Sequence, residues 1–206
     1  MVKGFFITGI GTDVGKTVAA AVIAKALEAD YWKPVQCGDL HNSDSIKIER
    51  LTGLKTLPEA YRLKAPMSPH AAAELEGIEL NIDAIELPRS EKPIVVEGAG
   101  GVLVPLNSTE TYLDLIVKLN LPVVLVTRHY LGSINHTMLS WKVLKEAGLN
   151  VVALVISGKV HESTESYFET QMDVPFIRII ELKELSLEAI EAEAERLNVV
   201  INQLAD

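Results

Sequence analysis

The run Gly9-Ile10-Gly11-Thr12-Asp13-Val14-Gly15-Lys16-Thr17 sets glycines, a lysine and a hydroxyl between an apolar stretch and an alanine-rich one. These residue types can hold a triphosphate. Free backbone N–H groups at a helix start converge on the anion, and glycines let the chain approach it closely. Lys16 would neutralise the β- and γ-phosphates, and the Thr17 hydroxyl would ligate Mg²⁺. Asp13, Val14, Gly15, Lys16, Thr17 and Val18 form the candidate ATP-binding stretch. The common pattern leaves four residues between the first glycine and the Gly-Lys pair. Here five separate Gly9 from Gly15, and three separate Gly11 from it. An ordinary glycine-rich turn is the alternative, disfavoured by the strand expected before the loop and the helix expected after it.

A second run, Glu97-Gly98-Ala99-Gly100-Gly101, follows the apolar stretch Pro93–Val96. A carboxylate at the C-terminal end of a parallel strand stands at the ligand edge of the sheet. There Glu97 can hold Mg²⁺ beside Thr17, while Gly98, Ala99 and Gly100 bring backbone toward the phosphates. The competing reading is a tight turn with Glu97 merely exposed. Lys33 interrupts the apolar stretch Tyr31–Val35, and buried lysine is rare unless paired or functional. On an edge strand it would instead face solvent. Asp44, after Asn42-Ser43, opens a helix, where a plain N-terminal cap and a functional carboxylate are evenly balanced.

Ser68-Pro69-His70 reads as a helix start with Ser capping and Pro first, a catalytic role for His70 being the weaker reading. Leu131-Gly132-Ser133-Ile134-Asn135-His136 opens another helix, whose free amides could hold a carboxylate or simply begin the helix. His129, His136 and His161 show no metal-ligand spacing and read as structural or surface residues; Trp141 reads as core.

Buried strands must position these groups. Gly4–Thr8, Tyr31–Val35, Pro93–Glu97, Pro122–Thr127, Val151–Ser157 and Pro175–Ile179 are near-continuously apolar, as strands covered on both faces are. Helix-length segments lie between most of them: Lys16–Ala29, Tyr112–Leu119 behind a Thr111/Asp114 capping box, Gly132–Ala147 ending at Gly148, and a last helix from Leu187 to Leu204. Leu54–Ser90 is the least regular segment and is expected to hold loops and short helices. Alternation of this kind predicts one α/β domain over residues 1–206, a P-loop NTPase-like, mostly parallel sheet with helices on both faces.

Of the 206 residues 48% are apolar, enough for a substantial core, and 28 acidic against 19 basic residues give a net charge of −9. That balance argues against a broad nucleic-acid surface. One cysteine, Cys37, excludes an intrachain disulfide. The N-terminal residues lack a signal-peptide pattern, and no apolar run reaches spanning length, so a cytoplasmic protein off the membrane is expected.

Taken in order, the segments resemble the dethiobiotin synthetases, ATP-dependent cyclo-ligases of biotin synthesis. The resemblance rests on Thr8-Gly9 through Val14-Gly15-Lys16-Thr17, Lys33-Pro34-Val35, Asn42-Ser43-Asp44, Ser68-Pro69-His70, Val96 to Gly101, and Leu131-Gly132 with Ile134-Asn135-His136. It spans roughly residues 5–156, and the five-residue loop spacing is usual in that family. The resemblance implies ATP, Mg²⁺, 7,8-diaminononanoate and bicarbonate-derived CO₂ as reactants and metal. Carbamate formation, phosphorylation to a carbamic–phosphoric anhydride and closure of a ureido ring would follow. It makes Thr17, Asp44 and Glu97 the Mg²⁺ set, and Lys16 and Lys33 the cations at the γ-phosphate, with Thr12 beside the carbamate. It makes Gly132, Ser133, Ile134 and Asn135 the pocket for the substrate carboxylate. It also implies a homodimer with its site at the interface, Tyr167 reaching toward a neighbouring substrate tail.

Three departures stand out. Cys37 replaces the usual Ser or Thr near the substrate; a lone cysteine past a buried strand is most often a small inert hydrophobe, while Lys33 four residues earlier could favour a thiolate. Ser157-Gly158 replaces an Asn-Asp pair that reads adenine, and a later Pro is absent from Ile179-Ile180-Glu181-Leu182. Ser157 at the base then implies relaxed nucleotide choice. The competing functions are a partitioning or iron-protein-type nucleotide switch and a small-molecule kinase. Switch proteins usually carry an extra lysine early in the loop, where this chain has Gly9, Ile10 and Gly11.

Overall fold

The structure, a computed structural model, describes residues 4–182 and 184–205. Consecutive strand residues point to opposite faces, yet Phe5, Phe6 and Ile7 are all fully buried. Strand β1 (Gly4–Gly9) must therefore be covered on both sides. The chain continues through α1 (Lys16–Leu27), β2 (Asp30–Trp32), β3 (Val35–Cys37), α2 (Asp44–Thr52), β4 (Thr56–Leu57), β5 (Tyr61–Leu63) and α3 (Pro69–Glu76). After a 3-10 turn at Ile82–Ala84 come β6 (Ile94–Glu97), α4 (Tyr112–Leu119), β7 (Val123–Arg128) and α5 (Ser133–Glu146). The remaining elements are β8 (Val151–Ser157), α6 (Glu162–Gln171), β9 (Phe176–Ile179) and α7 (Leu187–Ala205).

Seven strands form one parallel sheet in the order β4-β2-β6-β1-β7-β8-β9. Parallel neighbours need long crossovers, and the helices that make them flank the sheet, as the alternating pattern predicts. Because every strand of this sheet runs the same way, all their C-terminal ends share one edge. Gly9, Glu97, Arg128 and Ser157 end their strands there, and open α/β sheets bind ligands at that edge.

The stretch Tyr31–Val35 is not one strand, as its apolarity suggests. Strand β2 stops at Trp32, and Val35 begins β3, which pairs with β5 outside the main sheet. Pro34 has no N–H to give a ladder, so the chain leaves the sheet there. Lys33 thereby sits just past the tip of β2. Trp32 lies opposite Val96 in the register, which sets Lys33 beside Glu97. Leu54–Ser90, expected to be loops and short helices, contains β4, β5, α3 and the 3-10 turn.

Helix α1 ends at Leu27 rather than Ala29, because Glu28 turns left-handed at φ 49°. Gly148, at φ 72°, follows α5 as expected, and Trp141 is buried beneath the Lys145 ammonium. No helix among the described residues is long and apolar enough to cross a membrane.

The capping box on α4 is present: Thr111 Oγ1 accepts from Leu113 N at 3.2 Å, and Asp114 Oδ2 accepts from Thr111 N at 2.7 Å. Thr111→Ala is expected to cost about 1 kcal/mol. A urea midpoint unchanged from the wild type would show that the box contributes nothing.

Candidate active site

The loop between β1 and α1 wraps tightly. Gly15 sits at φ 95°, and a Cβ there would stand 2.6 Å from Ser157 Oγ, so only glycine fits. Lys16 is buried, with Nζ donating to Gly11 O at 2.7 Å. Thr17, one residue into α1, donates from Oγ1 to Glu97 Oε1 at 3.0 Å.

Glu97 is 1% exposed and accepts two further hydrogen bonds, from Tyr31 Oη at 2.8 Å and Lys33 Nζ at 3.3 Å. Lys33 also donates to Gly98 O at 3.1 Å and pairs with Asp44 Oδ2 at 2.7 Å. Burial alone would lower the Lys33 pKa, but the Glu97 and Asp44 carboxylates outweigh it and raise the pKa above the ordinary lysine value. Burial likewise opposes the charge on Asp44, and the Lys33 ammonium overcomes it, holding the carboxyl below its usual range. For Tyr31, burial and then the Glu97 charge raise the pKa, so its hydroxyl stays a donor.

Asp44 is the first residue of α2 rather than its cap. Ser43 caps, accepting from Ile46 N at 3.4 Å, which leaves the Asp44 carboxylate free for Lys33. Gln36 fixes this corner, its Oε1 accepting from Asp44 N at 3.2 Å and its Nε2 donating to Gly38 O at 2.9 Å. Neither Tyr31 nor Gln36 stood out in the sequence. Tyr31 carried a signal, since alternation puts it on the same side as Lys33 two residues on. Gln36 carried one too, as the polar member of a short apolar strand.

A cavity of about 730 Å³ runs along this edge of the sheet. It brings together Thr12, Asp13, Gly15, Lys16, Thr17 and Val18 from the loop and α1. Opposite them it gathers Lys33, Cys37, Asp44 and Glu97, then Ala99, Gly100 and Ser157. Gly98 joins them through its carbonyl on Lys33, and Val14 is buried and lines a neighbouring cleft of about 710 Å³ with Arg128, His129, Tyr130 and His136. Gly132, Ser133, Ile134 and Asn135 line neither space. Gly132 turns at φ 100° into α5, Ser133 is buried, and Ile134 and Asn135 are exposed. Tyr167 stands 43% exposed on α6, away from both.

At Cys37 the structure supports the inert thiol rather than the thiolate. Burial pushes its thiol up to about 11, and the nearby Lys33 charge only partly opposes this. The histidines are less scattered than their spacing suggests. His129 Nε2 lies 3.0 Å from Glu165 Oε1, Arg178 donates to the same carboxylate, and the His129 and His161 ring centres are 5.6 Å apart. Among the described residues no group of three His, Cys, Asp or Glu side chains is arranged to hold a metal.

The oxygens at Lys33 nonetheless fit Mg²⁺. Thr17 Oγ1 and Glu97 Oε1 are 3.0 Å apart, close to the roughly 2.9 Å between neighbouring oxygens of an octahedral ion with bonds near 2.0–2.1 Å. Asp44 adds a carboxylate on the far side of the same ammonium. Mg²⁺ typically takes one or two carboxylates and completes its shell with phosphate oxygens and water.

Residues 3–189 match the family model described as an AAA domain. The septum site-determining protein MinD from Pyrococcus horikoshii, solved with Mg-ADP, superposes with a TM-score of 0.54 over 100% of both chains at 16% identity. Fold and loop thus define a P-loop nucleotide-binding protein. The ATP-dependent dethiobiotin synthetase BioD of Christiangramia forsetii is 55% identical over 81% of this chain and 81% of its own. That of Rhodopseudomonas palustris strain HaA2 is 42% identical over 93% and 92%. The chain belongs to the ATP-dependent dethiobiotin synthetase family, and it is an enzyme of the ligase class.

Burial lowers the Lys16 pKa to about 8, with the Glu97 charge opposing. A bound polyphosphate favours the ammonium. The site is therefore ready below pH 8 and must take up a proton above it. Affinity for ADP is expected to fall about tenfold from pH 7 to pH 9, with proton uptake in calorimetry at the higher pH. Affinity that stays flat to pH 10 would place the Lys16 pKa above this window.

Proposed function

We propose that the chain makes dethiobiotin from 7,8-diaminononanoate, CO₂ and ATP, releasing ADP and phosphate. One amine of the substrate adds to CO₂, loses a proton and becomes a carbamate. A carbamate oxygen attacks the γ-phosphorus and ADP leaves, giving a carbamic–phosphoric anhydride. The second amine attacks the carbonyl carbon, phosphate departs, and the ureido ring closes.

The observation that carries this reading is the pairing of Lys33 with Glu97 and Asp44 beside the phosphate loop. A lysine kept charged there faces the end of the loop where a γ-phosphate would lie. Such a cation stabilises charge that grows during phosphoryl transfer. Lys16 holds the β- and γ-phosphates, Thr12 stands where the carbamate would form, and Cys37 borders the diamine. Thr17, Glu97 and Asp44 would hold Mg²⁺, which when bound neutralises phosphate charge. Asp13, Val14, Gly15 and Val18 of the loop, Gly98, Ala99 and Gly100 opposite, and Ser157 complete the nucleotide site.

The proposal takes residues 1–206 as one P-loop domain, working as a cytoplasmic homodimer without nucleic acid or membrane. Leu131, fully exposed, precedes the Gly132–Asn135 segment and half-exposed Ile134 lies within it, so apolar surface borders the amides proposed for the substrate carboxylate. A second subunit would cover that surface and bring Tyr167 to a shared site.

The test is ATP turnover with ¹⁴C-bicarbonate, which should require both diamine and bicarbonate and yield labelled dethiobiotin. Turnover with the diamine but no bicarbonate would favour a kinase, and turnover driven by a protein or DNA would favour a switch.

Lys33→Met should lower turnover on the order of 10²–10³-fold while leaving the KM for ATP within about threefold. Because the change removes the counter-ion of buried Glu97, the comparison uses the fraction shown to be folded by circular dichroism. Weak ATP binding with normal turnover at saturation would return Lys33 to a structural role.

Cys37→Ser should stay active, since no step uses a covalent bond to the protein. With its thiol near 11, iodoacetamide should react slowly at pH 7.5 and about tenfold faster per pH unit. Saturating diamine with Mg-ATP should slow that labelling. Labelling at an unchanged rate would move Cys37 out of the substrate site.

A further inference from the structure

Lys33 and Glu97 mark one end of the cavity, at the tips of β2 and β6. The other end lies at β9, four strand spacings from β6 and about 19 Å away. Ile180, Leu182 and Leu185 wall it. Apolar walls suit a flat base and give phosphates nothing. A nucleotide with its phosphates on Lys16 therefore lays its base between β8 and the chain leaving β9.

The two side-chain positions at the tip of β8 offer a base no paired donor and acceptor. Ser157 is packed against the phosphate loop, its Oγ 2.6 Å from where a Cβ on Gly15 would stand. Gly158 has no side chain, and the Arg128 side chain fills the room, Nε lying 3.9 Å from the position of a Cβ on Gly158. Arg128 leaves β7 and reaches Glu181, beyond β9, with Nη2 3.8 Å from Oε1. The pair straddles the end of β8. Both side chains are about half exposed, at 51% and 53%, and a pair so long and open adds little to folding. It can part to admit the edge of a base. The backbone that presents Glu181 is anchored from below. Ile180 N donates to the buried Glu193 at 3.2 Å, and Arg196, itself bound to Glu193, donates to Arg178 O at 2.7 Å.

We propose that Glu181 and Arg128 select the base. The Glu181 carboxylate accepts a hydrogen bond from the exocyclic amino group, and the Arg128 guanidinium donates to the neighbouring ring nitrogen. Ser157-Gly158 lacks a side-chain donor–acceptor pair; Glu181 and Arg128 supply one. The inference rests on the cavity being the ATP site and adds which side chains discriminate there.

The experiment measures binding and kcat/KM of the full chain for ATP, for purine riboside triphosphate, which has hydrogen at C6, and for inosine triphosphate, which has oxygen. Wild type should favour ATP over the purine analogue by roughly five- to tenfold, the gain from one charge-assisted hydrogen bond at a partly exposed site. Glu181→Ala should erase that preference by weakening ATP alone, and should improve inosine triphosphate by removing a carboxylate that faces its oxygen. Arg128→Ala should weaken ATP and the purine analogue equally, since both keep the ring nitrogen. Loss of the assumption beneath has a different signature: ATP binding unaffected by Lys16→Ala, which would overturn the cavity as the nucleotide site and this inference with it. If wild type binds ATP through Lys16 but shows no preference, or if Glu181→Ala keeps the preference in full, the base is read by other groups.

Discussion

Glu97 sits almost wholly out of water, where an unpaired carboxylate costs several kcal/mol. Its three donors come from two stretches of chain: Thr17 at the start of α1, and Tyr31 in β2 with Lys33 just beyond it. Lys33 in turn holds Asp44 at the start of α2. One buried charge thus ties the phosphate loop, two strand ends and a helix start into a single geometry. Replacing Glu97 by an apolar residue would leave Lys33 only Asp44 and the Gly98 carbonyl, and replacing Lys33 would leave the buried Glu97 charge without its counter-ion. The group proposed to bind metal and phosphate is therefore also what fixes the corner of the sheet. Stability and chemistry draw on the same contacts.

That dependence explains the break at Pro34. If β2 ran on through Val35 as a regular strand, the next positions would be taken up in ladder hydrogen bonds within the sheet. Instead the chain turns out, Pro34 O accepts from Tyr61 N at 3.0 Å, and the small β3–β5 pair carries Gln36 and Cys37 to the rim of the cavity. Gln36 then joins the tip of this pair to α2. A minor sheet of short strands is what places one wall of the site.

Much of this was legible locally. Val151–Ser157 is apolar up to its last residue, and the Thr111/Asp114 box marks the start of α4; both stand in the structure as the sequence implies. The phosphate loop and Glu97 were visible because glycines beside strand ends have few other uses. The two- and three-residue strands β4 and β5 were not, being too short to show a period. Partner identity was also hidden: Tyr31 and Glu97 are 66 residues apart, and only the register of β2 on β6 brings them together. Cys37 shows the same limit from the other side. Its closeness to Lys33 could be read from spacing, but the burial that outweighs the lysine could not.

Charge around the cavity completes the argument. Lys16, Lys33, Lys47, Arg50 and Arg128 face Asp13, Asp39, Asp44, Glu97 and Glu181, as many bases as acids among the described residues that line it. Summed over the cavity, the side-chain charges cancel. What remains are the amides of the loop at the start of α1, with the partial positive charge of that helix end, and any cation that arrives with the nucleotide. Such a site would favour a metal–nucleotide complex over a bare polyanion, because a divalent ion roughly halves the phosphate charge that the amides must hold. A protein of net charge −9 can then hold a triphosphate without any basic face.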